Sequence, residues 1–514
     1  MLSVCLLAAL TASAQGGLSV KTQISTGHGR LPKAKPISVI GTNDDYAYFW
    51  ENQTKKGEFL RTLFAVSNDL SEQRELALPM EYEGNEMDMQ RVVLSTDKQR
   101  LHLLTSFNNR QSDVTSLLVT DIDALTLTTG EPRVVLQLPG AAGKNRDYWT
   151  ITQTESSGRL AVNAYARTKT EALDVLIAVL NPDMSVASKH VHTAASKDEA
   201  EDVKVLAVAD DGTLYYITSV GKPDRRRQIS EKSFVLHAIR PSGEHIEQPL
   251  SVSGYTVVDQ PESLLKHDGS LVLFGRLYNE DEDEFVGFYY HTYDSDLHTL
   301  AAEYGMATET EGGLVSTGNT RTKLSKDGQK FMESFGEAKL VEAQGGGVYA
   351  IGTSTSYRSV RTTTYKYDDQ WTYHDLLISY LSPAGDLVWS KPLPYLAKHD
   401  TEAIDYFPYT GGFGAATLGD RLMLTYFDDA RNASNSTNKP NYSTVALWKK
   451  QGIRHALFSP DGNYQVGKDR RFFETKSLLL FPRLLTRAPQ GDGLIYFGFQ
   501  ERDFNFVKVS PITK

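Results

Sequence analysis

Eight times along this chain a β-rich apolar run breaks at a polar turn of Pro, Asp, Asn or Gly and resumes as a second alternating run. The stretches read LFAVSNDLSEQ from Leu63, LLVTDIDALTL from Leu117, IAVLNPDMSVAS from Ile177, LHAIRPSGEHIE from Leu236, YYHTYDSDLHTL from Tyr289, LISYLSPAGDLVW from Leu377, HALFSPDGNYQV from His455 and FVKVSPITK from Phe506. Ahead of each lies an inner pair with its own turn signal, beginning at Val39, Val92, Ile151, Val205, Ser263, Leu340, Gly414 and Leu484. Asp-Gly and Gly-Gly between apolar runs favour hairpins, because the tight primed turns need positive φ. An inner pair plus an outer hairpin makes a four-stranded unit. Such units recurring about every 50 to 90 residues predict an all-β fold, a β-propeller. A repeat architecture adds core unit by unit, so 514 residues can form a single domain.

Eight inner pairs predict eight blades, and seven follow if one pair is a decoration. The last stretch supplies only the third strand of its blade. Leu18, Val20, Thr22 and Ile24 alternate with Ser19, Lys21, Gln23 and Ser25, the period of a strand with one buried and one wet face. Docking that segment beside the last strand would close the ring and remove an edge that invites aggregation. Helical periodicity is confined to KLSKDGQKFMESF from Lys323, enough for one or two turns.

Residues 1–14 read as a signal peptide: Leu2 to Leu10 is largely apolar, and Ala12-Ser13-Ala14 offers a small-x-small cleavage site, although no Lys or Arg precedes Leu2. The apolar run is short of the roughly 20 residues a spanning helix needs. The expectation is an exported domain over residues 15–514, located in the periplasm, at the outer membrane or outside the cell, with no transmembrane segment and monomeric. Cys5 is the only cysteine, so the mature domain has no disulfide, thiolate metal site or cysteine nucleophile. A formal net charge of −10 argues against nucleic acid as a partner.

Three insertions interrupt the spacing, near 305–336, 355–375 and 428–443. Long connections on an economical scaffold are where recognition tends to sit. The second carries Tyr365, Tyr367, Trp371, Tyr373, His374 and Asp375, aromatic faces flanked by carboxylates that suit a sugar ring or the polar rim of a partner; the competing expectation is a long hairpin whose aromatics pack on their neighbours. Asp428, Asp429 and Asn432 give three hard oxygen ligands on one loop, and calcium is the cation they would hold. No other cofactor is expected. His190 and His192 in KHVHT share a strand face at a spacing workable for imidazole ligands, with no third histidine at a telling distance in sequence. Glu280 to Glu284 is acidic throughout and reads as a solvated hairpin tip.

The stretch YKYDDQWTYHDLLISYLSPAGDLVWSKPLP, followed by DRLMLTYFDDARN, resembles a family of exported β-propeller proteins of Bacteroidetes-type bacteria. The matching residues are Tyr365, Tyr367, Asp375, Gly385, Trp389, Asp428, Asp429 and Asn432, and the likeness runs mainly over residues 340–465. It implies the fold and an envelope location, and carries no activity. Gly385-Asp-Leu-Val-Trp389 is also similar to the docking hairpin of quinoprotein dehydrogenase repeats, but with five tryptophans in the chain Trp389 reads as blade packing. Ser459-Pro-Asp-Gly462 reads as a tight turn.

No Gly-x-Ser-x-Gly elbow, His-Glu-x-x-His or sialidase Asp-box occurs. Two function classes remain open. One is a non-catalytic binding or scaffold propeller of the cell envelope that recognises a protein or a glycan. The other is a carbohydrate-active hydrolase or lyase, which needs carboxylates converging in the propeller channel.

Overall fold

The computed structural model describes residues 18, 20–24, 37–55, 58–109, 111–139, 149–154, 157–167, 173–193, 200–221, 232–252, 254–310, 313–318, 326–361, 367–399, 412–429, 451–468, 478–500 and 503–511. The signal-peptide reading, Tyr365 and Asn432 therefore lie outside the described residues. Among those described, no helix is long and apolar enough to cross a membrane.

Strand β1 (Val20–Ile24) is followed by blade I, made of β2 (Ile37–Thr42), β3 (Tyr46–Lys55), β4 (Glu58–Ser67) and β5 (Gln73–Ala77). A small hairpin, β6 (Glu81–Tyr82) and β7 (Asn85–Glu86), leads to blade II: β8 (Asp88–Leu94), β9 (Arg100–Asn109), β10 (Val114–Asp123) and β11 (Arg133–Pro139). Blade III is β12 (Trp149–Gln153), β13 (Leu160–Arg167), β14 (Leu173–Leu180) and β15 (Val186–Thr193); blade IV is β16 (Ala200–Val208), β17 (Leu214–Gly221), β18 (Lys232–Ile239) and β19 (His245–Pro249). Blade V has six strands: β20 (Thr256–Val257), β21 (Glu262–Leu265), β22 (Leu271–Asn279), β23 (Glu284–Tyr293), β24 (Thr299–Thr310) and β25 (Gly313–Gly318). Helix α1 (Lys326–Glu333) precedes blade VI, which is β26 (Phe335–Glu342), β27 (Val348–Arg361), β28 (Tyr367–Leu381) and β29 (Leu387–His399). Blade VII is β30 (Phe413–Leu418), β31 (Arg421–Asp429), β32 (Gln451–Phe458) and β33 (Tyr464–Lys468), and the chain returns through β34 (Leu478–Arg487), β35 (Leu494–Gln500) and β36 (Asp503–Pro511).

Every blade is an antiparallel meander, and the first strands β2, β8, β12, β16, β21, β26, β30 and β34 each touch the next, with β34 touching β2 again. The ring is closed at eight blades. Blade VIII is completed as the alternation at Leu18 to Ile24 predicts: β1 pairs antiparallel with β36, Val20 opposite Pro511 and Ile24 opposite Val507. Leu18 is buried among residues of blades VI to VIII and bridges Gly467 on β33. Its backbone oxygen comes so near Gly467 that a Cβ there would sit 2.8 Å away.

Between blades the strands bury a girdle of apolar clusters. Apolar clusters join I to II, II to III, III to IV, IV to V and V to VI, a larger one spans VI, VII and VIII, and another joins VIII back to I. Aromatic residues fill much of this space: Tyr48, Tyr215, Tyr289, Tyr349, Tyr426 and Tyr496 are fully buried. Gly275 is required on one middle strand, because a Cβ there would lie 2.7 Å from the Tyr289 ring.

The insertion near 305–336 does not lie free where it is described. It lengthens β24, adds β25 to the blade edge and folds α1, the one helical stretch the sequence offers. Phe331 and Met332 of α1 are buried between blades V and VI, and the Gln329 amide both accepts from Phe285 N and donates to Phe285 O at 2.9 Å, imitating a strand partner of β23. Of the stretch 355–375, residues 355–361 and 367–375 are strand. Thr355, Tyr357 and Val360 are residue types that favour strand, and β27 and β28 run paired as far as Arg361 opposite Tyr367, the long-hairpin expectation.

Trp389 packs across a blade boundary. Its Nε1 donates to Pro460 O at 2.8 Å, and its ring stacks 6.1 Å from Phe458 of blade VII and 6.1 Å from Tyr380 of its own blade. Ser459 to Gly462 is the tight turn that receives it, with Gly462 at φ 81° donating to Ser459 O at 2.9 Å. The indole is half-buried. Trp389→Ala is expected to cost about 3 kcal/mol, the low end for truncating a large aromatic, while Trp389→Phe, which keeps the stack, costs less; urea unfolding measures both.

Candidate ligand-binding face and channel wall

The two faces of the ring differ. On one, first strands turn into second strands and third into fourth. There the five-residue turns 181–185, 209–213, 240–244, 266–270, 294–298, 343–347, 382–386 and 459–463 repeat one geometry, the first residue's N–H bonded to the fifth residue's carbonyl at 2.8–3.0 Å. Side-chain oxygens of Asp183, Asp268, Asp294 and Asp461 accept further backbone N–H bonds; side-chain bonds from Ser185 to Asp183 and from Ser459 to Asp461, with those backbone bonds, hold the two carboxyls below the usual range, and Asp268 is held there against its burial by bonds from Lys266 and Ser270. These turns are bonded within themselves.

The opposite face carries the second-to-third connections and passages between blades, and the strand ends that flank the long intervals 222–231, 400–412 and 430–450 open onto it. Strands β28 and β31 reach the same face from neighbouring blades. In β28, Trp371 is opposite Tyr357 and His399, Tyr373 is opposite Thr355 and Ala397, and His374 is opposite Ser354 and Leu396. The aromatic segment is the middle strand of a ladder that outruns its blade. Asp375 is passed over in both registers, which step from His374 to Leu376; it is a bulge residue, half-buried, at the position where a bulge re-aims a side chain. Asp428 and Asp429 end β31 opposite Gly452 and Gln451. Topology thus brings the two predicted groups to one face, on adjacent blades.

Near the loop-face end of the inner strands lies a charged cluster with no counterpart in the sequence reading. Glu337 on β26 forms an ion pair with Arg483, which sits in an irregular stretch of β34 between Leu480 and Leu485. The pair joins blade VI to blade VIII past Gly412, which precedes β30 and has no side chain to obstruct it; a Cβ at Gly412 would clash with both partners, and its φ of 72° favours glycine as well. Burial pushes the Glu337 carboxyl up, against the pull of Arg483 and Lys339, and Glu262 at the start of β21 adds to the rise. Basic side chains also staple neighbouring inner strands: Arg91 donates to Ile151 O at 2.7 Å, Lys204 to Pro261 O at 3.1 Å and Lys339 to Ala415 O at 2.8 Å. Gln260 bonds Asp202 at 2.8 Å. Acid, amide and cation therefore alternate around part of the wall, an arrangement able to bind hydroxyls or to move a proton. Sequence offers no signal for the Glu337–Arg483 pair, whose members are 146 residues apart.

His190 and His192 lie on the half-buried face of β15. The Glu280 to Glu284 run is the exposed tip between β22 and β23, as expected.

No protein-family model matches the sequence, and no curated protein matches it. Among solved structures, the β-propeller domain of the Trilobed protease from Pyrococcus furiosus is similar at 11% identity, covering 77% of this chain and 90% of that one, with a TM-score of 0.38. Polysaccharide lyase Uly1 aligns at 9% identity over 94% of this chain and 100% of its own, TM-score 0.35. The periplasmic gluconolactonase PpgL of Pseudomonas aeruginosa aligns at 12% identity over 84% and 94%, TM-score 0.34.

Proposed function

We propose that the chain is an exported, non-catalytic propeller of the bacterial cell envelope that binds a glycan on its loop face. The observation that carries this reading is the one-sidedness of the ring: one face is closed by repeated self-bonded turns, and the other receives the strand ends that flank long connections, the outrunning ladder of β28 and the bulged Asp375. Tyr367, Trp371, Tyr373 and His374 supply ring faces for a sugar, Asp375 supplies a hydroxyl acceptor, and Asp428, Asp429 and Asn432 supply hard oxygens that suit calcium. Trp371→Ala, Tyr373→Ala, Asp375→Ala and Asp429→Ala, screened on an immobilised glycan panel alongside melting temperature, are expected to lose binding at least tenfold while keeping the wild-type melt. Binding unchanged in all four overturns the reading. Capture of a protein with no glycan signal assigns the face to a protein partner instead.

The raised carboxyl of Glu337 favours a second reading, a carbohydrate-active hydrolase or lyase in which Glu337 donates a proton and Glu262 completes a carboxylate pair. On that reading Glu337→Gln abolishes turnover and leaves glycan binding intact.

A further inference from the structure

Blade IV brings three donor atoms to one point. On the β18–β19 hairpin, His237 stands opposite Glu247, and His245 precedes Glu247 by two residues on the same strand face. His237 Nδ1 lies 3.0 Å from His245 Nε2 and 3.5 Å from Glu247 Oε1, and His245 Nε2 lies 3.6 Å from Glu247 Oε1. Those are close to the edges of a tetrahedron of ligands. A point about 2 Å from all three atoms lies just off their plane, the distance zinc takes to imidazole nitrogen and carboxylate oxygen.

The surroundings prepare His237 as a ligand. Thr218 Oγ1 is 2.9 Å from its Nε2, so a proton on Nε2 donated to Thr218 leaves the Nδ1 lone pair facing the other two donors. The ring of Tyr216 stacks on it at 4.4 Å with an interplanar angle of 5°, fixing its plane. Burial, with His245 and His192 nearby, pushes the His237 imidazole down to about 4, so it is neutral at physiological pH. His245 and Glu247 have side-chain exposures of 39% and 58%, which leaves a route for an ion to enter. Beyond them, β15 of blade III presents His192, whose ring is 6.0 Å from that of His237.

We propose that His237, His245 and Glu247 bind a divalent transition-metal ion of the zinc class at the outer seam between blades III and IV. Two imidazoles and one carboxylate suit zinc, and copper or nickel by the ordinary affinity series, better than calcium, which prefers an all-oxygen set. Three protein ligands leave a fourth position for water or a further ligand.

The test uses the full mature domain without a histidine tag, stripped with a chelator and titrated with Zn²⁺ by calorimetry. Wild type is expected to take up one equivalent, to gain melting temperature, and with Co²⁺ to show the intense visible bands of four-coordinate cobalt. His245→Ala and Glu247→Gln change exposed side chains, so their melts in chelator should match wild type while the zinc response falls by more than the roughly 10–100-fold expected of Thr218→Val, which removes only the bond that orients His237. Absence of stoichiometric uptake, uptake unchanged in both ligand variants, or equal competition by Ca²⁺ would overturn the proposal.

Discussion

Removal of residues 16–26 is expected to collapse the protein's stability. The deletion strips β1 from β36 along the register Val20–Pro511 to Ile24–Val507 and withdraws Leu18 from the largest apolar cluster, where it is 5% exposed. Loss of a buried leucine alone costs about 2–5 kcal/mol. Without β1, the outward edge of β36 also stands open, a template for pairing with another chain. Against a typical total of about 5–15 kcal/mol, the truncated protein should melt far below wild type or aggregate, and Leu18→Ala should fall between the two. Differential scanning calorimetry with light scattering measures both effects; a truncated protein melting with wild type would mean that β1 contributes nothing to closure.

Acidification from pH 6.5 toward 4 is expected to unload part of the fold through His291 and His455. Both lie on third strands, β23 and β32, with Nδ1 of His291 bonded to Tyr293 Oη at 2.9 Å and Nδ1 of His455 to Thr425 Oγ1 at 2.9 Å. Burial pushes each imidazole down to about 4. In the unfolded chain each binds a proton near pH 6.5, and in the folded protein not until about 4. Between these values the unfolded state holds more protons, so stability is full above pH 6.5 and falls as pH drops, by up to about 1.4 kcal/mol per pH unit for each histidine. Glu303 and Glu337, whose carboxyls burial pushes up, act in the opposite sense. Comparison with His455→Gln therefore isolates the term: the variant should lose stability less steeply between pH 6.5 and 4.5 in urea titrations. Parallel slopes for the two proteins would refute the assignment.

What the sequence disclosed and what it withheld divide along physical lines. Turns are local, so Asp-Gly at Asp211–Gly212 and Asp461–Gly462 marked hairpins that the structure contains, with positive φ at both glycines. Alternation is also local, and it placed β1 even though the partner strand lies at the far end of the chain. Residues 355–375 support two expectations, a recognition loop and a long hairpin, and the pairing of β28 on both sides matches the hairpin over 355–361 and 367–375. The donor set of blade IV was half visible in HAIRPSGEHIE, where a five-residue turn brings His237 opposite Glu247, although the reading sought a third ligand near His190 and His192 in sequence rather than across a seam. The Glu337–Arg483 pair depends on the curvature of the whole ring and on the missing side chain of Gly412, and no window of sequence contains either.

Ring closure by β1 also fixes an order of events. Strand β1 precedes blade I in the chain and its ladder partner β36 follows blade VII, so a growing chain can assemble blades I to VII while the circle stays open. The closing step joins two strands that flank seven blades in the chain, a non-local contact whose loop-closure entropy is paid before the pairing rewards it. Until that pair forms, blade VIII keeps an open edge at β36, so the unclosed ring is the species most exposed to pairing with another chain.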